Sequence, residues 1–543
     1  MQPGEGSIDM GMLDCVIKGG LIADGSGSPS WIGDIGIRDG KIIELCGNIG
    51  DAAGEIIDAS GKVVAPGFID LHSHSDFRLL EEPAGEIKLR QGVTTEIFGN
   101  CGFSAAPLSE RFLPPLLAYS EPVMGQPKEK CGWQTYGGYL SRLSRNRLGH
   151  NAGGYVGNGA LRIAVKGFEA GPLTGSEMAE VKRLLRESLE AGALGLSLGL
   201  MYVPENYYDR DELAEICGVV RECGAVVAAH IRGEGNSLGR SVAEVLYVAE
   251  KSGVPLHISH FKAAGKNNWG EKCDAAIAMI EAARSRGVDV TCDVYPYTAG
   301  STTLTSLLPP WSMEGGIEKT LQRIKDPETR RRICDELGRE TEDWDNLVYS
   351  TGWESVLVSS VNTAANRRLV GKTILEIAQL RQERPIDAFL NLLAEEAGRV
   401  AIVIYHMSED DVIKILKLGF SFVISDSLYS SGGLPHPRLY GTFPRLFARY
   451  VREKKVLSLE EAVKKVTSMP AERLGLESIG RLECGMNADI VVFDAGEIND
   501  CATYIDPKQF PEGIEHVFVG GKMAVKSGAL TGVRNGRLLL KGR

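Results

Sequence analysis

Only nine histidines are spread over the 543 residues, and four of them stand where an apolar run ends. His72 and His74 follow Phe68-Ile69-Asp70-Leu71, His230 follows Ala225-Val226-Val227-Ala228-Ala229, and His260 follows Leu256-His257-Ile258-Ser259. Imidazole nitrogens converging from separate strands make a site for a divalent transition metal, with zinc a common occupant. In an extended segment the period of two turns His72 and His74 to one side. The same parity sets His257 against His260, so His257 is expected to be a packed structural histidine, whereas Lys262 shares the side of His260.

Two further residues fit such a site. Asp426 closes the run Phe422-Val423-Ile424-Ser425, where a carboxylate is expensive to bury unless it is paired or bound to a cation. Cys101 sits in Phe98-Gly99-Asn100-Cys101-Gly102, between glycines that let the backbone pass close to another group. Zinc beside it would keep the thiol as thiolate. The other cysteines, of eleven with no Cys-x-x-Cys pair, suit small buried hydrophobes better than disulfides or a zinc knuckle.

The elements that must position these residues are short apolar strands alternating with helical stretches such as 176–191 and 240–251. That pattern implies parallel βα units, most simply an α/β fold with a closed (β/α)8 TIM-like barrel, whose chemistry sits at the carboxyl ends of the strands. Strands are expected at 67–71, 94–99, 152–157, 193–199, 225–229, 255–259, 288–294 and 421–425, and a ninth apolar run at 400–406 competes with 288–294 for the seventh place. The charged, helical stretch 312–346 is expected to be an insertion over the barrel mouth. Short alternating strands at 14–20 and 34–43 find their counterpart only near the other end, at 488–494 and 517–522. A small β-sandwich built from both termini follows, dividing the chain into 1–65, a barrel at 66–478, and 479–543.

A content of 43% hydrophobic and 24% charged residues with 65 glycines describes a turn-rich globular protein. The net charge of -11, without a dense Lys/Arg cluster, excludes nucleic acid as a partner. No apolar run approaches the roughly 20 residues of a membrane span. The first eleven residues are polar and acidic where a signal peptide is basic and then apolar, so the expected location is cytoplasmic, with Met1 or Met12 as the start. The partner these features call for is a small molecule, and a homo-oligomer is compatible with them.

Taken together, these positions resemble the amidohydrolase superfamily and, within it, the D-aminoacylase or N-acyl-D-amino acid deacylase family. The resemblance covers most of the chain. It is carried by Gly67-Phe68-Ile69-Asp70-Leu71-His72-Ser73-His74, Gly92-Val93-Thr94-Thr95, Gly99-Asn100-Cys101-Gly102, His230-Ile231-Arg232-Gly233-Glu234 and Ile258-Ser259-His260-Phe261-Lys262. Tyr295-Pro296-Tyr297-Thr298-Ala299-Gly300-Ser301-Thr302 and His436-Pro437-Arg438-Leu439-Tyr440-Gly441-Thr442-Phe443 extend it. The resemblance implies a tight zinc on Cys101, His230 and His260 and a weaker second site framed by His72, His74, Cys101 and Asp426, with cysteine as the bridge. Many relatives use a carboxylated lysine on the fourth strand instead, but 193–203 contains no lysine, which favours the deacylases over the hydantoinase and dihydroorotase branch. Asn158, where the family often has histidine, and Gly233, where it often has aspartate, depart from the pattern and bear on the support of the ligands.

The expected reaction is zinc-dependent hydrolysis of the amide of N-acyl-D-amino acids, with Asp426 as the catalytic base. Arg438 is the main anchor for the substrate carboxylate, with Lys262, Tyr295 and Tyr202 beside it. Members that prefer acidic substrates carry an added arginine after Tyr297, but 298–313 holds no cation and is dominated by Leu304, Leu307, Leu308 and Trp311. Neutral or hydrophobic side chains are therefore expected. The competing readings are another amide hydrolase, acting on a cyclic amide, a D-dipeptide or an N-acyl-D-glutamate or aspartate, and a silent relative kept as an assembly scaffold.

Overall fold

All eight expected apolar runs contribute a strand to one parallel sheet in the computed structural model, which describes residues 12–50, 52–341, 343–430 and 432–542. The polar segment before Met12, and the choice of start, lie outside the described residues. The strands are β1 (Phe68–Asp70), β2 (Val93–Phe98), β3 (Asn151–Gly157), β4 (Gly195–Gly199), β5 (Val226–His230), β6 (Leu256–Ile258), β7 (Val290–Val294) and β8 (Ser421–Val423), paired in chain order. Nearly every residue in them is buried, as expected for strands covered on both faces.

The ring closes just beyond the strand ends. Ser73 and Ser427 form a parallel bridge. Asp426 N donates to His72 O at 3.0 Å, and His74 N donates to Ser427 O at 3.0 Å. One layer below, the Asp70 carboxylate accepts from Ser425 N at 3.0 Å and pairs with Lys88 Nζ at 2.5 Å. Lys88 also donates to Ser425 Oγ at 3.1 Å and Ser427 Oγ at 3.0 Å. The seam of this (β/α)8 barrel therefore rests on an ion pair with no access to water.

The ninth apolar run lies outside the barrel. Val400–Tyr405 is the middle strand of a separate antiparallel sheet, flanked by Ala299–Thr303 and Val356–Val361. A central strand buried on both faces reads the same whichever sheet it joins, so periodicity alone could not place it. The excursion between β7 and β8 is thus wider than 312–346. That stretch supplies two of its helices, Ile317–Lys325 and Pro327–Leu337, while the three-stranded sheet ties down at the mouth through Gly265 N to His406 O and Met407 N to Thr298 O.

Both termini build one sheet. Val63–Pro66 pairs antiparallel with Ile490–Phe493, joining Leu13–Ile22, Trp31–Arg38 and Lys41–Cys46 on one side to Ile514–Val519, Lys522–Lys526 and Ala529–Leu530 on the other. Alternation divides its labour: Ile490 and Val492 enter the sheet's own core, whereas Val491 and Phe493 pack into the barrel core. Beyond the sheet, the tail crosses the amino ends of the barrel strands, with Ala152 N donating to Arg537 O and Leu539 N donating to Ala152 O. Among the described residues no helix is long and apolar enough to cross a membrane.

Replacing Lys88 by Met strands the Asp70 carboxylate and is expected to cost about 3–5 kcal/mol. Denaturant titration of the variant beside the parent measures it, and an unchanged midpoint would remove the pair from the forces closing the barrel.

Candidate active site

Three of the residues singled out from sequence share a backbone conformation that side chains rarely adopt: φ is 53° at Cys101, 34° at His260 and 48° at Asp426. Left-handed geometry at non-glycine residues costs free energy and persists only where the surroundings enforce it. Around Cys101 the enforcement is visible. Asp76 accepts from Gly99 N at 3.2 Å and Ala105 N at 3.1 Å, and Ser197 Oγ accepts from Gly102 N at 3.1 Å. A Cβ on Gly102 would lie 1.6 Å from Glu205 Oε1, so only glycine passes there. Pleat alternation explains the common direction of His72 and His74, but His260 and Asp426 lie beyond the last residues of β6 and β8, and the turn aims them instead.

These turns gather the donors at the carboxyl ends of the strands. Cys101 Sγ lies 3.2 Å from His72 Nε2 and 3.4 Å from His260 Nε2. Asp426 Oδ1 lies 3.5 Å from His72 Nε2 and 3.4 Å from His74 Nε2. The His230 and His260 rings stand 4.3 Å apart, centroid to centroid. Three overlapping donor groups result, each with its atoms within 4.8 Å of one another: His72, Cys101 and His260; His72, His74 and Asp426; His230, Glu234 and His260. The Cys101, His230 and His260 trio expected from sequence is therefore split between two groups that share His260, and Glu234 is an addition.

The chemistry of this set suits a divalent cation. Both ring nitrogens of His230 are buried without a hydrogen-bond partner, as are Nδ1 of His72 and of His74. Unmet buried nitrogens are costly unless something binds them. Burial holds the His230, His74 and His260 imidazoles below their ordinary pKa, His74 at about 4, which leaves them neutral and able to ligate. Burial, with Asp426, Glu234 and Asp293 around it, pushes the Cys101 thiol well up, so the sulfur is no free nucleophile and becomes a thiolate only beside a cation. Burial also acts to raise the Asp426 carboxyl, but Arg438 and the His72 and His74 imidazoles overcome it and keep the group ionised.

The second layer holds residues that sequence reasoning missed. Glu234 Oε1 lies 2.8 Å from His260 Nδ1 and 2.5 Å from Lys262 Nζ, fixing the His260 ring with Nε2 toward Cys101. Asp293, on β7, accepts from the main-chain N of His260, lies 2.8 Å from His257 Nε2 and 3.7 Å from His72 Nδ1. An acid inside an apolar strand was the available signal for Asp293. His257 is a structural histidine, also 2.7 Å from Thr291 Oγ1. Of the two departures, Asn158 donates to Glu205 Oε2 at 3.0 Å. At Gly233 a Cβ would lie 1.9 Å from Ser237 Oγ and 2.5 Å from Asp345 Oδ2, so the insertion's Asp345 occupies the room a larger residue would need.

Arg438, Lys262, Tyr295 and Tyr202 all stand by this cluster. Arg438 Nη2 pairs with Asp426 Oδ2 at 2.9 Å and the guanidinium lies 4.6 Å from the Tyr295 ring centre, while its Nε and Nη1 are buried without a partner. Tyr202 packs 4.9 Å from the His230 ring and its hydroxyl lies 3.1 Å from Thr302 Oγ1. Met201 and Tyr202 also wall a chamber of about 710 Å³ under the insertion. Leu308 and Trp311 line it, but Leu304 and Leu307 are turned into the core, and Arg332 and Arg339 enter it from outside 298–313.

A βα barrel with imidazole, thiol and carboxylate donors gathered at its mouth defines the class of metal-site barrel proteins to which hydrolases of this fold belong. The profile of the Amidohydrolase family matches residues 55–307 and 423–525, the gap falling on the insertion. N-acyl-D-glutamate deacylase of Alcaligenes xylosoxydans xylosoxydans is 36% identical over 97% of this chain and 96% of its own, and D-aminoacylase of the same organism is 33% identical over 97% and 98%. The crystal structure of N-acyl-D-glutamate deacylase from Bordetella bronchiseptica, complexed with zinc and a phosphonate inhibitor, superposes with a TM-score of 0.82 at 31% identity, covering 97% of this chain and all of that one. The chain belongs to the amidohydrolase family and, within it, to the D-aminoacylase and N-acyl-D-amino acid deacylase group.

Replacing Cys101 by Ala is expected to lower bound zinc, counted by elemental analysis of purified protein, with the fold retained by circular dichroism. Metal content equal to the parent's would take Cys101 out of the ligand set.

Proposed function

We propose that this protein is a zinc-dependent deacylase that cleaves the amide of N-acyl-D-amino acids. The observation that carries the reading is that the donor cluster stands against a buried arginine, Arg438, which pairs with Asp426 through Nη2 and keeps two buried N–H donors, Nε and Nη1, without a partner. Cys101, His230 and His260 would hold the tighter metal, and His72, His74, Cys101 and Asp426 a weaker second one. A solved D-aminoacylase is described by one-metal activation and second-metal attenuation at a binuclear centre, in keeping with unequal sites. Bound there, zinc supplies a nucleophile from water at neutral pH and charge stabilisation for the acyl oxygen.

The chain's own residues do the rest. Arg438 grips the α-carboxylate through its spare Nε and Nη1, a charge-assisted pair that also fixes orientation. Lys262 adds a point charge, and Tyr295 and Tyr202 flank the substrate with their rings. The scissile amide then lies over Asp426, whose carboxylate takes a proton from the attacking water and returns it to the leaving amine within about 3 Å.

Neutral or apolar side chains fit the chamber better than acidic ones. Five carboxylates, from Glu314, Glu336, Glu340, Asp343 and Asp345, share its walls with three guanidiniums, and Arg332 is held over Trp311 with its guanidinium carbon 3.8 Å from the ring centre and its Nε 3.2 Å from Glu336 Oε1. An acidic side chain would enter a net negative space. A second reading, preference for N-acyl-D-glutamate, has Arg332 and the 36% identical relative in its favour.

Asp426→Asn is expected to lower kcat at least about 100-fold, the scale of losing general acid–base catalysis, while the tighter metal remains; near-native turnover would end the role of Asp426. With zinc-loaded protein and paired D and L N-acetyl amino acids, kcat/KM should be highest for the D forms of leucine, methionine and phenylalanine. A higher value on N-acetyl-D-glutamate would select the second reading.

A further inference from the structure

His406 follows the central strand of the insertion sheet, Val400–Tyr405, and reaches the barrel mouth together with Thr302 and Ile404 of that sheet. Its main chain is pinned from both sides: Gly265 N donates to its carbonyl at 2.8 Å and Trp269 Nε1 at 3.0 Å, while Met407 N donates to Thr298 O at 3.0 Å. The ring shares a cleft with Cys101, His260, Lys262, Tyr295 and Asp426. It is only 6% exposed, and neither of its nitrogens has a hydrogen-bond partner.

A neutral imidazole carries one N–H donor and one acceptor, and leaving both unmet in a buried place costs free energy that a bound ligand would recover. Neutral is the form present here, because burial, with Lys262 and Arg438 nearby, pushes the pKa of His406 down to about 3. Gly300 keeps a space clear beside the ring: a Cβ there would lie 2.7 Å from His406 Nε2 and 3.0 Å from Tyr295 Oη. His406 and the Tyr295 hydroxyl thus border the same small volume, on the side of the cleft where Lys262 and Arg438 bring positive charge. Lys262 is held by Glu234 at 2.5 Å, and one arm of Arg438 by Asp426 at 2.9 Å, so an entering carboxylate with its several lone pairs has room for another donor.

We propose that His406 is a substrate-binding residue that donates a hydrogen bond to the α-carboxylate of the N-acyl amino acid, making the insertion sheet part of the substrate site. The proposal rests on the deacylase reading and adds to it a residue from outside the barrel.

The test compares the zinc-loaded parent with His406→Phe and His406→Gln on N-acetyl-D-leucine and on its carboxamide, which lacks the anion. His406→Phe should raise KM for the acid about tenfold or more, the worth of a hydrogen bond to a charged group, with kcat little changed. Its zinc content should match the parent's, and its loss of kcat/KM on the carboxamide, whose carbonyl accepts only a neutral hydrogen bond, should be clearly smaller than on the acid. His406→Gln keeps an N–H donor and should fall between the two. An unchanged KM, equal losses on acid and carboxamide, loss of zinc, or a glutamine variant no better than phenylalanine would each overturn the proposal. A parent inactive on every N-acyl amino acid would instead overturn the deacylase reading and this assignment with it.

Discussion

Main-chain hydrogen bonds between the ends of the first and last barrel strands hold together both the fold and the site. Asp426 N to His72 O and His74 N to Ser427 O are ordinary sheet contacts, yet three of the four residues they register are metal-ligand candidates. Their side chains meet because their backbones do. Beneath them the Lys88 and Asp70 pair, with Ser425 and Ser427, supplies a buried polar layer in which every partner is close. Such a layer is strong when complete and costly when broken, which ties the geometry of the cluster to the integrity of the ring.

Around the cluster, carboxylates do two kinds of work. Glu234 binds the His260 imidazole from behind, leaving Nε2 for the cavity, while Asp293 fixes the His260 main chain and the His257 ring. Asp426 faces the cavity itself and is shared between the His72 and His74 rings on one oxygen and Arg438 on the other. One guanidinium therefore touches the proposed base and, in the proposed substrate complex, the leaving group's anion. That arrangement favours substrates whose carboxylate lies at a fixed distance from the bond to be cut, as in an α-amino acid derivative.

The barrel was legible in the sequence because fully buried parallel strands write themselves as short apolar runs, and histidine, cysteine or aspartate at their ends stands out against that background. The donors His72, His74, Cys101, His230, His260 and Asp426 are all placed this way. Glu234, Asp293 and His406 escaped for physical reasons. Asp293 acts through the His260 main chain and the His257 ring, contacts that only the fold creates. His406 ends an apolar run like the others, but that run belongs to the insertion sheet, and no local pattern says which sheet a buried strand will join. That Leu304 and Leu307 are buried in the core is not legible for a related reason: a segment's composition does not tell which of its apolar residues face a cavity and which face the core.

The pairing of Ser425 with Asp70 spans 355 positions of the chain. Contacts of such separation form late, since the loop entropy must be spent before they return anything. On the ribosome, a nascent chain whose last strand is still inside the exit tunnel has His72 and His74 without Asp426 and a ring with a gap in it. The donor group of His72, His74 and Asp426 is thereby completed only after most of the polypeptide has emerged.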